Sequence, residues 1–292
     1  MMAISIIIVT FNSLSNIKLC LSSIDIKRFP NLEVIIVDNG SSDGTVSFIK
    51  SNYPEYVLIE NTANLGSSRA RNQAIRASKG EWILALDSDV ILDKEFLNNA
   101  YDIISLAPLN VGAVQPKVLN AFNNRIYTLG ILLTYLGRFY DLSYNKKDGK
   151  KHNVKRSIFG ASSTSALYRR KMLDDTKDDS GYFDESFFFL AEDVDLAFRS
   201  AARGWRALYD PELICYHSGN SSQTDHLHRK YFCWRNRKKL LSKMQLTIFR
   251  LFVMYLFYDI PRDLYLYLAN PLVRNGFLGY ICNPFKERES GA

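Results

Sequence analysis

A chain of 292 residues, 47% hydrophobic and 23% charged, has the make-up of a globular protein that can bury a sizeable core. That composition excludes disordered, collagen-like and disulfide-scaffold classes, and the scattered Cys20, Cys215, Cys233 and Cys282 have neither CxxC nor zinc-type spacing. The formal charge of +7 sits at one end: from His226 onward twelve Lys/Arg face four acids, which leaves the first 225 residues near neutral.

The chain opens with a β-rich apolar run, Ile4 to Val9, without a basic flank or cleavage site, so no signal peptide is expected. With the unpaired cysteines this points to a cytoplasmic protein. Helical spacing through Ile17, Leu21 and Ile24 predicts a helix over Asn16 to Ile24. Glu33 to Val37 is a second buried-type strand, closed by the turn-rich run Asp38 to Gly44. A helix over Thr45 to Ser51, a strand over Val57 to Ile59, a helix over Ser67 to Ala77 capped by Ser67, and a strand over Trp82 to Leu86 follow. Repeated β-α units with continuous apolar strands imply an α/β fold, a mostly parallel Rossmann-like sheet with helices on both faces.

Beyond Ile91 the pattern is less regular, with a helix near Phe96 to Ser105 and a polar, basic stretch at Asn145 to Arg156 that reads as a mobile loop. A strand over Ser163 to Tyr168, a helix over Asp193 to Arg203 stopped by Gly204, and a strand over Leu213 to His217 complete this part. The tail, 226–292, interleaves basic residues with aromatics, and its longest apolar run, Leu251 to Tyr258, falls short of the ~20 residues a spanning helix needs. An amphipathic helical extension lying on an anionic bilayer fits this pattern, and packing against residues 1–225 as ordinary core is the other reading. No nucleic-acid-binding motif accompanies the basic residues.

In open α/β sheets ligands bind outside the carboxyl ends of the strands. Those ends here carry Thr10 and Asn12, then Asp38, then Asn64 with Arg69 and Arg71 at the start of a helix, then Asp87-Ser88-Asp89. Two carboxylates two residues apart on an extended segment face the same way and suit an oxygen-coordinated Mg2+ or Mn2+. Arginines at a helix N-terminus suit a diphosphate, and Asp38 could accept the N–H of a uracil or thymine ring. Glu192, Asp193 and Asp195 open a helix, either as dipole partners, with Asp195 and Arg199 spaced as an i,i+4 pair, or with a carboxylate beside an apolar wall acting as general base. His217 reads as a metal ligand, a phosphate contact or a structural histidine.

In this order the segments Ser5 to Asn12, Val37 to Thr45, Asn64-Leu65-Gly66 with Ala70-Arg71-Asn72, Asp87-Ser88-Asp89, Gly181 to Glu185 and Glu192 to Leu196 resemble inverting family 2 glycosyltransferases of the GT-A fold, in general form the rhamnosyltransferase-like branch. The resemblance implies that Thr10, Asp38 and Arg71 hold the nucleotide, with Asn12 and Asn64 beside them at the strand ends. It also implies that Asp87 serves the ribose or the metal, that Asp89 and His217 bind the metal, and that Asp193 is the catalytic base. The expected donor is a UDP-, GDP- or dTDP-linked sugar and the acceptor a glycan or lipid-linked glycan. The expected location is the inner face of the cell membrane, held by the tail.

A polyprenyl-phosphate sugar synthase and a non-catalytic sugar-nucleotide scaffold share these features. A nucleotidyltransferase would place a Gly-rich loop after the first strand, and Thr10-Phe11-Asn12-Ser13 is not one.

Overall fold

A computed structural model describes residues 4–219, 226–244 and 247–282. Asp225, at the expected domain boundary, and Lys286 and Arg288 of the basic tail lie outside the described residues. The chain runs β1 (Ile4–Thr10), α1 (Leu14–Ser22), β2 (Leu32–Asp38), α2 (Thr45–Asn52), β3 (Val57–Glu60), α3 (Ser67–Ala77), β4 (Trp82–Asp87), β5 (Val90–Leu92) and α4 (Phe96–Leu106). It continues through β6 (Val111–Asn120), β7 (Ile126–Thr128), β8 (Ile131–Leu133), β9 (Phe139–Asp141), β10 (Arg156–Ile158), β11 (Ser165–Arg169), α5 (Arg170–Thr176), α6 (Glu192–Ala202) and β12 (Arg206–His217). The tail holds α7 (His226–Lys243), α8 (Ile248–Met254), α9 (Ile260–Ala269) and α10 (Pro271–Cys282).

Among the described residues ten strands form one sheet in the order β10-β12-β6-β11-β4-β1-β2-β3, with β5 added to β12 and β7 to β6. The half β3-β2-β1-β4 is parallel throughout, as the β-α repeats predict. Past β4 the sheet turns mixed, because β11 lies antiparallel between β4 and β6. Register explains the burial. Ile4, Ile6 and Ile8 lie opposite Trp82, Leu84 and Leu86, and these side chains pack with Ile17 and Leu21 of α1, Ile49 of α2 and Phe96 of α4. The alternate residues Ile7, Ile35, Ile83 and Ala85 face Ala70, Ala74 and Ile75 of α3, Met172 and Leu173 of α5, and Leu196 of α6. The core is thus two layers of side chains, one on each face of a single sheet.

Three expectations change. Ser67 does not cap its helix: the N-cap is Gly66, at φ +85°, and Ser67 Oγ instead donates to Phe188 O and Glu192 Oε1. The last strand is longer than Leu213 to His217, beginning at Arg206 with a register shift between Asp210 and Ile214. The stretch Asn145 to Arg156 is anchored rather than loose. Lys117 Nζ meets Asp148 Oδ2 at 3.0 Å, Tyr209 donates to His152 O at 2.6 Å, and His152 is buried.

The tail packs on the sheet domain through its first helix. Trp234, Asn236, Arg237, Leu240 and Leu241 of α7 are buried, and Arg237 joins Asp259 in a buried pair at 2.6 Å while donating to the carbonyls of Leu136 and Gly137 in the β8–β9 hairpin. Helices α8 and α9 are continuous through one π-helical turn, Tyr255–Asp259. Pro261, near the start of α9, has no N–H to donate, and the widened turn accommodates it.

Candidate active site

The carboxyl ends of β1 and β4, the start of α3, the β8–β9 hairpin, the start of α6 and one face of α7 enclose a cavity of about 800 Å³. That is ample for a nucleotide-sized ligand. Thr10, Asn64, Arg71, Asp87 and Asp193 are in its wall, five of the residues picked out from the sequence; Asn12, Asp38, Asp89 and His217 are not.

Arg71 is the junction. Its position on the first turns of α3 buries the guanidinium, where Nη2 meets Asp87 Oδ1 at 2.7 Å and Nη1 meets Glu192 Oε1 at 2.6 Å. One cation on α3 therefore ties the end of β4 to the start of α6, reaching Glu192 across 121 residues of sequence. Arg69, paired with it in the sequence reading, is exposed and turns toward Glu185 at 3.8 Å. Burial pushes the Asp87 carboxyl above its ordinary range while Arg71 opposes the shift.

Asp38 ends β2 and is buried. Its Oδ2 accepts the backbone N–H groups of Gly40 and Ser41, which fixes the turn, while Oδ1 is buried without a hydrogen-bond partner. Thr10 Oγ1 and Glu192 Oε2 are in the same condition. Buried polar atoms are rarely left this way, and two of these three, Thr10 Oγ1 and Glu192 Oε2, belong to residues of the cavity wall. Asn12, at φ +44°, accepts Ser42 N on its Oδ1 at 2.8 Å, which ties the ends of β1 and β2 together.

Asp87, Asp89 and His217 offer ligand atoms that all lie within 4.8 Å of one another. His217 Nε2 stands 3.2 Å from Asp89 Oδ1, its Nδ1 is buried without a partner, and the Tyr127 ring packs on the imidazole with centroids 4.1 Å apart. The pairing of β5 with the end of β12, His217 opposite Val90, brings this histidine to the Asp-Ser-Asp turn.

Asp193 faces the cavity from α6. Its Oδ2 accepts Ser163 N at 3.2 Å, and its carboxyl is pushed up to about 7 by burial, then by the neighbouring charges of Glu192 and Asp141, with the Ser163 N–H and Arg71 pulling the other way. Asp195, by contrast, pairs with Arg199 at 2.8 Å and with Lys243 at 2.9 Å, the structural role its spacing predicts.

Sequence reasoning missed several features of the wall. Glu192 is legible as an acid that opens a helix, and only the fold reveals its pairing with Arg71. Asp141, whose carboxyl burial also pushes up, comes from an irregular stretch with no usable pattern. His228, Arg229, Phe232 and Cys233 enter from α7, and their i, i+3, i+4 spacing was the available signal that this helix presents one face to a site.

The fold is that of a GT-A glycosyltransferase, and comparison with known proteins agrees. The family model for glycosyl transferase family 2 matches residues 5–176, more than half of the chain, which therefore belongs to that family. The poly-beta-1,6-N-acetyl-D-glucosamine synthase of Staphylococcus aureus (strain COL) is 25% identical over 224 residues, covering 73% of this chain and 49% of that protein. Its Staphylococcus epidermidis counterpart is 23% identical over 221 residues with the same coverage. The chain thus spans about half the length of the curated relatives it matches. Among solved structures, a mannosyltransferase from Pyrobaculum calidifontis in complex with GDP-Man and Mn2+ superposes with a TM-score of 0.58 at 20% identity, covering 97% of this chain and 76% of its own. Residues 1–349 of Staphylococcus aureus TarS, in complex with UDP-GlcNAc, give 0.52 at 19% identity, covering 84% and 68%.

Proposed function

We propose that this glycosyltransferase moves a sugar from a UDP-, GDP- or dTDP-linked donor to an acceptor hydroxyl in a single inverting displacement, with Asp193 as base. The observation that carries the reading is the placement of Asp193 on the same cavity as the Arg71–Asp87 pair, with a proton affinity that lets it accept a proton near neutral pH. Asp193 takes the proton of the acceptor hydroxyl, whose oxygen attacks the anomeric carbon as the bond to the diphosphate oxygen breaks. The buried Arg71 guanidinium is a fixed positive charge on the side where the leaving group gains negative charge, and Thr10 and Asp38 supply the free oxygens for ribose and base.

Asp87, Asp89 and His217 form a donor set of two carboxylates and one imidazole that fits Mn2+ or Mg2+, and His217 Nε2, 3.2 Å from Asp89 Oδ1, supports that fit. Such an ion, when bound, supplies charge neutralisation for the diphosphate. The GDP-Man and UDP-GlcNAc bound by the two structural neighbours support a sugar nucleotide as donor.

The acceptor is a glycan or lipid-linked glycan. Residues 1–225 carry the transferase chemistry, and the tail from 226 serves as a peripheral anchor on the inner face of the cell membrane while its first helix closes the cavity. No helix among the described residues is long and apolar enough to cross a membrane. However, Phe249, Phe252, Leu256, Ile260, Leu264 and Leu268 recur every three or four residues and are each 45–70% exposed. The same face favours, as a second reading, a polyprenyl phosphate as acceptor.

A thermal-shift screen with UDP-, GDP- and dTDP-sugars, with and without Mn2+, tests the donor assignment. One nucleotide class should raise the melting temperature only with Mn2+, and Asp89→Ala should abolish the Mn2+ requirement together with the shift. No shift with any donor, or a full metal-dependent shift in Asp89→Ala, contradicts the reading.

A further inference from the structure

The backbone just before the proposed base is strained. Phe188 has φ +58° and ψ −58°, and Phe189 N donates to Phe187 O at 2.6 Å across it. This is the rarer hand of γ-turn, which bulky residues avoid. Leu190 at φ +68° and Ala191 at φ +69° follow, so three of the four residues leading into Glu192 and Asp193 occupy left-handed backbone without a glycine among them. A segment like this holds its shape only when its surroundings over-determine it.

They do so from two sides. On the α3 side, Ser67 N donates to Phe188 O at 2.7 Å and Ser67 Oγ to the same oxygen at 3.1 Å. On the α7 side, the fully buried Asn236 directs Nδ2 at three carbonyls of the segment: Phe187 O at 3.1 Å, Phe189 O at 2.7 Å and Leu190 O at 2.6 Å. An amide nitrogen has two N–H groups, so one is shared between two acceptors. Asn236 is itself aimed, since its Oδ1 accepts Arg235 Nε at 3.0 Å. The Phe188 ring stacks on Phe232, one helical turn before Asn236, with centroids 5.7 Å apart.

We infer that Asn236 is a positioning residue for the catalytic step: it fixes the strained turn 187–191 and through it the aim of Asp193, so that the first tail helix is a working part of the active site. The inference rests on Asp193 being the base. Asn236 lies outside the cavity wall, so its loss acts on the rate through the turn, while donor binding at Thr10, Asp38 and Arg71 stays as it is.

The test uses the full chain with Asn236→Leu, which removes both donors, and Asn236→Ser, which keeps one small donor and leaves room for water. Three measurements are compared with wild type: amide hydrogen exchange, donor-nucleotide affinity, and nucleotide release from UDP-GlcNAc and GDP-mannose with Mn2+. Either variant should speed exchange over residues 188–194 about tenfold while β1 and β4 keep their protection. The rate of nucleotide release should fall about 10- to 100-fold with the donor KM unchanged. If Asn236→Leu does not fold, Asn236→Ser decides, and if neither donor is turned over, the exchange pattern decides. Wild-type exchange and rate in Asn236→Ser, or protection lost equally in β1 and β4, overturns the inference. Asp193→Asn run in parallel separates the two levels: a dead Asp193→Asn beside a normal Asn236→Ser sinks only the positioning role, whereas an active Asp193→Asn sinks the base.

Discussion

Arg71 is a buried cation with two carboxylate partners, Asp87 and Glu192, and its contribution follows from what its removal leaves behind. Arg71→Met keeps much of the volume but strands two desolvated acids, so unfolding in denaturant should show a loss of about 3–5 kcal/mol at neutral pH. The loss should shrink in acid as the Asp87 carboxyl, which burial pushes above its ordinary range, takes up a proton. Asp193 works in the opposite direction. Its folded-state pKa, about 7, is above that of an unfolded aspartate, so between about pH 4 and 7 the folded chain keeps a proton that the unfolded chain has released. Stability therefore falls as pH rises through that window and stays low above it. Asp193→Asn should match wild type in melting temperature near pH 4 and exceed it by a few degrees at pH 8; a variant that melts lower at pH 8 contradicts this role for Asp193. A site group that destabilises its own fold at working pH is expected where strain serves chemistry.

At the scale of elements, the turn 187–191 is held by α3 and α7 together, and Gly66 is the point of closest approach. A Cβ there would lie 2.6 Å from Phe188 Cδ2 and from Phe188 O, at a φ of +85° that disfavours any side chain. Gly66→Ala should destabilise the protein by about 1–3 kcal/mol and lower turnover with it, measured by thermal melting and nucleotide release. Gly149→Ala, with nothing within 4 Å of the added carbon, is the control.

Elements like β1, β2, α3 and β4 are legible in the sequence because strand and helix periods there repeat with little interruption, and their ends carry Thr10, Asp38, Arg71 and Asp87 into view. Asp89, His217 and Asp193 are legible as residue types. What brings His217 to Asp89 is the pairing of β5 with β12, two strands separated by more than a hundred residues, which no local pattern encodes. The pairing of Glu192 with Arg71 and the contacts of Asn236 were opaque for the same reason. Each residue acts through long-range contacts, and each passes locally for an ordinary helix residue. The strained Phe188 to Ala191 run was least legible, since Phe and Leu at positive φ contradict local preference and are tolerated only because distant groups hold them.

For the whole molecule, part of the tail's positive charge is spent in ion pairs within the fold. Arg237 and Arg262 pair with Asp259, Lys238 with Asp263, and Lys243 with Asp184 and Asp195. Membrane contact should accordingly depend on the exposed apolar face of α8 and α9 more than on a basic patch. Replacing Phe252 and Leu264 by Ser, each more than 60% exposed, should reduce co-sedimentation with anionic vesicles while leaving the melting temperature unchanged. Raising salt, which shortens the screening length to ~3 Å at 1 M, should weaken binding less than these substitutions do. Unaltered vesicle binding in the double variant removes the anchoring role.

The proposed chemistry turns on Asp193, and the most direct measurement is the pH–rate profile of nucleotide release from the preferred donor for wild type and Asp193→Asn at saturating Mn2+. The wild-type rate should rise with pH through a midpoint near 7, as the carboxyl loses its proton. Asp193→Asn should bind the nucleotide normally but turn over at least about 100-fold more slowly, with that limb gone. Turnover of Asp193→Asn within a few-fold of wild type, with the same acid limb, would contradict the assignment of Asp193 as base.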